Sequence, residues 1–245
     1  DIYPFGDNIY LRSDCYHQYA PFHKELYRKL TEGGSLLYSW NIGMGVNFTA
    51  LYSYYLASPV NLLLGLIAPT GNILVTIDLY ILIKTGLCGL TCGYYLHKRY
   101  GGKNLAFAAV AVFYALSSYM AAFSWNVMWL DCLVLLPLIV LGMDQLVKEN
   151  KYFLYTVALG LSIFSNYYIS IMICIFLVFY FIVRMLAESP IEDCHKFLFP
   201  RIKNFVIGSL IAGGIGACMI LPEIAALSYT ASGEFKFPEE WQNYF

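Results

Sequence analysis

The sequence predicts an all-α protein that crosses a membrane several times. Three observations carry this. The chain is 59% hydrophobic and only 13% charged, with a mean hydropathy of +0.60, far from the composition of a soluble domain. Its charges are absent from long windows: none between Glu32 and Asp78, none from Tyr152 to Val183, none from Phe205 to Leu221. Only Asp131 and Asp144 interrupt the stretch from Asn104 to Val147. Finally, the cations gather in alternate loops. A helix needs about 20 apolar residues to cross roughly 30 Å of hydrocarbon. Backbone in lipid must satisfy its own hydrogen bonds, and windows this long do so as helices rather than as a barrel.

The first element is not a span. Phe22, Leu26 and Leu30 recur at helical spacing, Lys24, Arg28 and Lys29 take other faces, and Gly33-Gly34 closes the pattern. This predicts a short helix lying in the interface. Residues 48–68 are apolar but broken by Pro59, and inserting them as a simple span would invert the loops that follow. They are read as a broken or re-entrant element. Spans are then expected at 73–97, 104–123, 129–147, 152–167, 168–186 and 204–222. The fourth and fifth share one apolar stretch, broken by Ser165-Asn166-Tyr167-Tyr168 into a tight hairpin.

Loop charge sets orientation. The loop around His97-Lys98-Arg99 and Lys103, the Lys148–Lys151 loop and the Arg184–Lys203 loop are basic, whereas 124–128 and 165–168 carry no charge. Positive-inside logic puts the basic loops in the cytoplasm. Residues 1–72, 124–129, 166–168 and Glu223 onward then face outside. The net charge of −1 gives no signal for nucleic acid. Seven cysteines, an odd number without metal-ligand spacing, are read mostly as small core residues.

The outer segments hold the residues able to do chemistry. "SDCYHQYAPFHKEL" (13–26) crowds titratable groups into a greasy chain. Asp14 is a candidate general base or a helix cap. Asp131, flanked by Trp129, Leu130 and Leu133, is costly at a membrane boundary unless paired or used, or else caps its helix. His17 fits a proton relay or a phosphate contact, or a local hydrogen bond. Arg12 can pair with a phosphate or simply be solvated. Gln18 and Asn126 suit sugar hydroxyls or backbone. Trp125, Trp129, Tyr167 and Tyr168 suit an aromatic belt or sugar stacking. Asn166 adjoins them, and Glu223 is a further contributor. Lys84 and Asp78 share one span, as a transport pathway or, preferably, as structural groups. Asn47-Phe48-Thr49 is a formal glycosylation sequon and carries little weight.

"YPFGDN" (3–8), "DCYHQYAPF" (14–22), "GGSLLYSWNIGMG" (33–45), "YYLASPVNLL" (54–63), "SWNVMWLDCLVLLPLIVLG" (124–142) and "SNYYISIMICIF" (165–176) together resemble the bacterial YfhO family of membrane proteins. The resemblance covers nearly the whole chain, as the N-terminal part of a longer protein. It implies a GT-C-like helical bundle with interfacial helices in the first outer loop. It also implies a glycosyltransferase that takes sugar from a polyprenyl phosphate on the extracytoplasmic face of the bacterial plasma membrane. The implied partners are the lipid-linked sugar donor, a cell-envelope polymer acceptor such as lipoteichoic acid, and membrane lipids. In such a module one helix precedes Asp1, residues 1–72 form the outer loop, 73–222 the six-span bundle, and 223–245 open the next outer loop. Asp14, or alternatively Asp7, takes the first acidic position and Asp131 the second. Asp7, Arg12, His17, Gln18, Trp125, Asn126, Trp129, Asn166 and Tyr167 are the expected substrate-binding set. No acidic residue adjoins Asp14, so a paired acidic motif is lacking, a divalent metal is disfavoured, and no cofactor is assigned. The competing classes are a lipid or solute transporter, and a non-catalytic envelope scaffold.

Overall fold

The computed structural model describes residue 6 and residues 8–11, 13–61, 72–102, 104–190 and 193–229. It is an all-α polytopic membrane protein. A one-turn π-helix, Cys15–Tyr19, runs into α1 (Ala20–Glu32). A small hairpin, β1 (Tyr38–Ser39) against β2 (Val46–Asn47), is antiparallel and leads into α2 (Phe48–Leu51) and a second π turn, Tyr52–Leu56. The bundle follows as α3 (Ile73–Tyr100), α4 (Leu105–Ala115), α5 (Ser118–Phe123), α6 (Leu130–Glu149), α7 (Phe153–Ser165), α8 (Tyr167–Glu188) and α9 (Cys194–Leu227).

Among the described residues, five runs are long and apolar enough to span a membrane: α3, α4 with α5, α6, α8 and α9. The expected fourth span differs. α7 has only 13 residues, about 20 Å of helix. It is wrapped by protein rather than lipid: Tyr155, Thr156, Ala158, Leu159, Gly160, Ser162, Ile163 and Ser165 are all buried. A hydropathy window set to bilayer thickness does not distinguish a lipid-facing span from a short helix packed at the bundle centre. The last element is longer than expected. α9 starts at Cys194, inside the expected basic loop, because Arg201 donates to the Val147 carbonyl and Asn204 to Asn150 across the gap to the end of α6.

The helix expected from the Phe22–Leu26–Leu30 spacing is present as α1, with Leu30 exposed and Lys29 buried against the expected facing. α1 buries Phe22 and Leu26 on Phe48, Leu51 and Leu56, and ends at Gly33 with φ 76°. The part of the 48–68 element that falls within the described residues is helical from Phe48 to Leu56; residues 62–71 lie outside them.

Two close approaches set the bundle core. A Cβ on Gly142 of α6 would meet the backbone of Tyr155 in α7, and one on Gly216 of α9 would meet Ile163 of α7. Ile139, Met143, Leu146, Tyr155, Leu159, Ile173, Leu177 and Ala212 fill the space so created. At one end of the bundle Asp144 of α6 takes Arg99 of α3 at 3.3 Å and Arg184 of α8 at 2.9 Å. Tyr180 donates to the same carboxylate. This end carries the basic loops.

Gly216→Val should lower stability by about 2 kcal/mol through overpacking. Gly86→Ala, whose Cβ has nothing within 4 Å, should leave it unchanged or raise it slightly. Unfolding midpoints of the two variants in one lipid or detergent system check the contrast.

Candidate functional site

The end of the bundle opposite Asp144 is built from four distant segments. Tyr10 donates its N–H to Asp78 of α3, and its hydroxyl meets Ser124 Oγ at 3.0 Å. The Tyr19 hydroxyl donates to Asn126 Oδ1 at 2.9 Å. Asn166 Nδ2 donates to the Tyr54 carbonyl at 3.1 Å, and the Tyr167 hydroxyl to Glu223 Oε1 at 3.0 Å. The segments 8–19, 54–58, 124–131 and 166–167, with Glu223, therefore form one continuous layer.

Asp14 sits at the head of the Cys15–Tyr19 turn with φ −62°, ψ −26° and makes no side-chain cap. The carboxylate is exposed, which leaves it open to an incoming group. Burial raises the Tyr19 and Tyr55 hydroxyl pKa values, and the Asp14 carboxylate raises both further. Glu223 acts on Tyr55 in the same direction. Tyr55 thus stands within electrostatic reach of two carboxylates.

Asp131 is placed differently from a cap. Trp129 precedes the helix and Asp131 lies in its first turn, where Lys84 Nζ of α3 pairs with it at 2.7 Å. Lys84 also donates to the Val127 carbonyl and, at 3.4 Å, to Ser58 Oγ. Both side chains are largely buried. Taken one at a time, the two charges each suggest a boundary or pathway role; together they neutralise one another. The signal in the sequence was that each is solitary, since isolated charges in spans require partners.

The expected binding residues divide. Asn126 and Asn166 are buried and hold the protein itself, Asn166 also capping α8 through Ile169 N. Gln18 reaches Tyr55 at 3.4 Å. Trp125 stacks on Tyr19 and Trp129 on Tyr168. His17 lines an open cavity of about 600 Å³ with Tyr16, Lys24 and Asn72. Lys24 was not assigned from sequence; only its helical register turns it toward His17. Asp7 and Arg12 lie outside the described residues. Among the described residues no three His, Cys, Asp or Glu side chains converge as metal ligands would.

On the buried face of α1, His23 is fully enclosed, and its Nδ1 meets the Tyr19 carbonyl at 2.9 Å. A carbonyl only accepts, so Nδ1 carries the proton. Burial pulls the pKa down to about 4, against a pull upward from the Tyr19 carbonyl and with help from the nearby Lys84 charge. Glu25 goes down to about 2 because Arg28 binds it, with Asn41 and Ser39 adding hydrogen bonds.

Two outcomes follow. The unfolded chain protonates His23 near pH 6.5 and the folded one only near 4, so the unfolded state binds more protons between those values. Stability is therefore full above pH 6.5 and falls by about 3 kcal/mol as pH drops to 4. Unfolding titrations should show this slope in the wild type and its loss in His23→Gln. Separately, Lys84→Met alone should cost about 3 kcal/mol by stranding Asp131, and Asp131→Leu should recover much of that in the double variant. A double-variant no more stable than Lys84→Met would deny the pairing.

Comparison with known proteins agrees with this layout. The family model "Bacterial membrane protein YfhO" matches residues 1–245. A protein of Bacillus subtilis (strain 168), "Uncharacterized protein YfhO", is 23% identical over 243 residues, which cover 93% of this chain and 28% of that protein. The chain thus spans little more than a quarter of the length of that relative. No solved structure matches. With a family match over every residue and five membrane-length helices among the described residues, the chain belongs to the YfhO family of bacterial membrane proteins.

Proposed function

We propose that the protein is a membrane glycosyltransferase with a GT-C-type architecture. It moves a sugar from a polyprenyl-phosphate donor to a hydroxyl of a cell-envelope acceptor such as lipoteichoic acid. The observation that carries this reading is the exposed Asp14 carboxylate, free of any capping bond, at the head of the first outer-loop helix. The acceptor hydroxyl loses its proton to Asp14. Its oxygen attacks the anomeric carbon and displaces polyprenyl phosphate in one inverting step. His17 and Lys24, on the rim of one cavity, steady the charge left on the phosphate. Asp131 acts through Lys84 as a positioning residue.

The opposite placement of the two layers supports this orientation. The basic residues converge on Asp144 at the far end, so the positive-inside rule puts the Asp14 layer outside, in the bacterial plasma membrane. A transporter would keep ionisable groups free along its pathway. Here Asp78 is held by Tyr10, Lys84 by Asp131, and Asp144 by two arginines.

The test uses the full-length protein in membrane vesicles with labelled polyprenyl-phosphate hexose and N-acetylhexosamine donors. Asp14→Asn should lower transfer to the acceptor polymer by at least a hundredfold while the protein stays folded. Transfer at the wild-type rate in that variant would remove Asp14 as the base. No transfer from folded wild type with any donor would remove the transferase reading.

A further inference from the structure

A second groove lies beside the layer, between the segment 45–55, the start of α8 and the end of α9. It measures about 660 Å³, within the usual size of small-molecule sites, roughly 300–1,000 Å³. Four tyrosines line it, Tyr54, Tyr55, Tyr167 and Tyr229. Tyr54 meets Tyr55 edge-on at 4.6 Å and Tyr167 at 5.8 Å. Asn47 lines the groove as well, its Oδ1 accepting from Ala50 N.

The groove also holds Glu223, whose residue is 9% exposed. Oε1 accepts the Tyr167 hydroxyl, whereas Oε2 has no hydrogen-bond partner among the described residues. A carboxylate oxygen in an apolar setting is costly unless something donates to it. Among the described lining residues there is no lysine or arginine. The groove therefore rejects a phosphate and calls for a neutral group that donates hydrogen bonds while presenting an apolar face to aromatic rings.

We infer that this groove is a subsite for one neutral sugar ring. The ring's C–H face lies on the tyrosines, as sugar faces do on aromatic side chains, and two of its hydroxyls converge on Glu223. A quaternary ammonium would also suit a carboxylate among rings. It has no use, however, for the Tyr167 hydroxyl or the Asn47 carboxamide, which offer directional hydrogen bonds. Assigning this sugar to the acceptor chain, rather than to the lipid-linked donor, rests on the transferase reading above. The donor's phosphate matches the His17–Lys24 cavity and not this groove. The presence of the sugar-ring subsite does not depend on transfer.

Saturation-transfer NMR on the full-length protein in lipid nanodiscs tests it. The probes are the methyl glycosides of glucose and N-acetylglucosamine, with tetramethylammonium and glycerol 3-phosphate as the cationic and anionic alternatives. At least one glycoside should receive saturation on its ring protons. Glu223→Gln should weaken that binding about tenfold or more. Tyr54→Ala, which leaves the carboxylate in place, should weaken it comparably and serves if the glutamate variant does not fold. Tyr167→Phe should have a smaller effect. Three results would overturn the inference: neither glycoside binds, both variants bind as wild type does, or only the ammonium or the glycerol phosphate binds in a Glu223-dependent way. Labelled-donor transfer on the same preparation separates the two proposals. Transfer without glycoside binding defeats the subsite alone. Glu223-dependent glycoside binding without transfer upholds the subsite and defeats the transferase reading.

Discussion

Everything on the functional layer hangs on one requirement: two opposite charges inside an apolar bundle must meet. Lys84 and Asp131 do so at 2.7 Å. Because Lys84 also reaches Val127 and Ser58, the pair fixes three things at once: the middle of α3, the entry of α6 and the segment leading out of the Tyr52–Leu56 turn. The Lys84 charge is felt at His23, held neutral on the buried face of α1. The turn carrying Asp14 and His17, which runs into α1, thus rests on a buried polar assembly rather than on apolar contacts alone. Such pairs contribute modestly when intact and cost heavily when broken, which makes this one a device for placing segments more than for adding stability.

The two ends of the bundle treat charge differently. At the Asp144 end, one carboxylate gathers Arg99, Arg184 and the Tyr180 hydroxyl. The Asp144 carboxylate there is buried and paired. At the other end Asp78 is satisfied by the Tyr10 N–H and Asp131 by Lys84. Asp14, by contrast, is exposed, and Glu223 keeps one oxygen without a partner among the described residues. The distinction between satisfied and unsatisfied carboxylates separates scaffold from candidate chemistry more sharply than position along the chain does.

Much of this was legible in the sequence. Charge-free windows identified α7, α8 and much of α9, charge-poor ones α3 and α6, and the Phe22–Leu26–Leu30 spacing with Gly33 identified α1 and its end. The basic loops correctly grouped the two ends. What escaped was whatever depends on depth or on distant segments meeting. The Lys84–Asp131 pair escaped because Lys84 lies about 16 Å along α3 while Asp131 lies in the first turn of α6; the two helices start at different levels. The groove at Glu223 joins residues 54, 167 and 223, which no local pattern connects. Asn126 and Asn166 were readable as polar and outer, but not as residues already holding Tyr19 and Tyr54.

Tyr55 links the two proposed halves of the site. Burial, Asp14 and Glu223 push its hydroxyl pKa up, against a downward pull from the Gln18 amide that donates to it. Tyr19 is biased the same way. Under the transferase reading, proton removal from an acceptor hydroxyl then falls to a carboxylate. Glu223 is largely buried and already holds Tyr167, whereas Asp14 is exposed and uncapped. On the same reading, a sugar in the groove with Glu223 and a phosphate in the cavity with His17 and Lys24 would leave Asp14 as the exposed carboxylate for the acceptor proton.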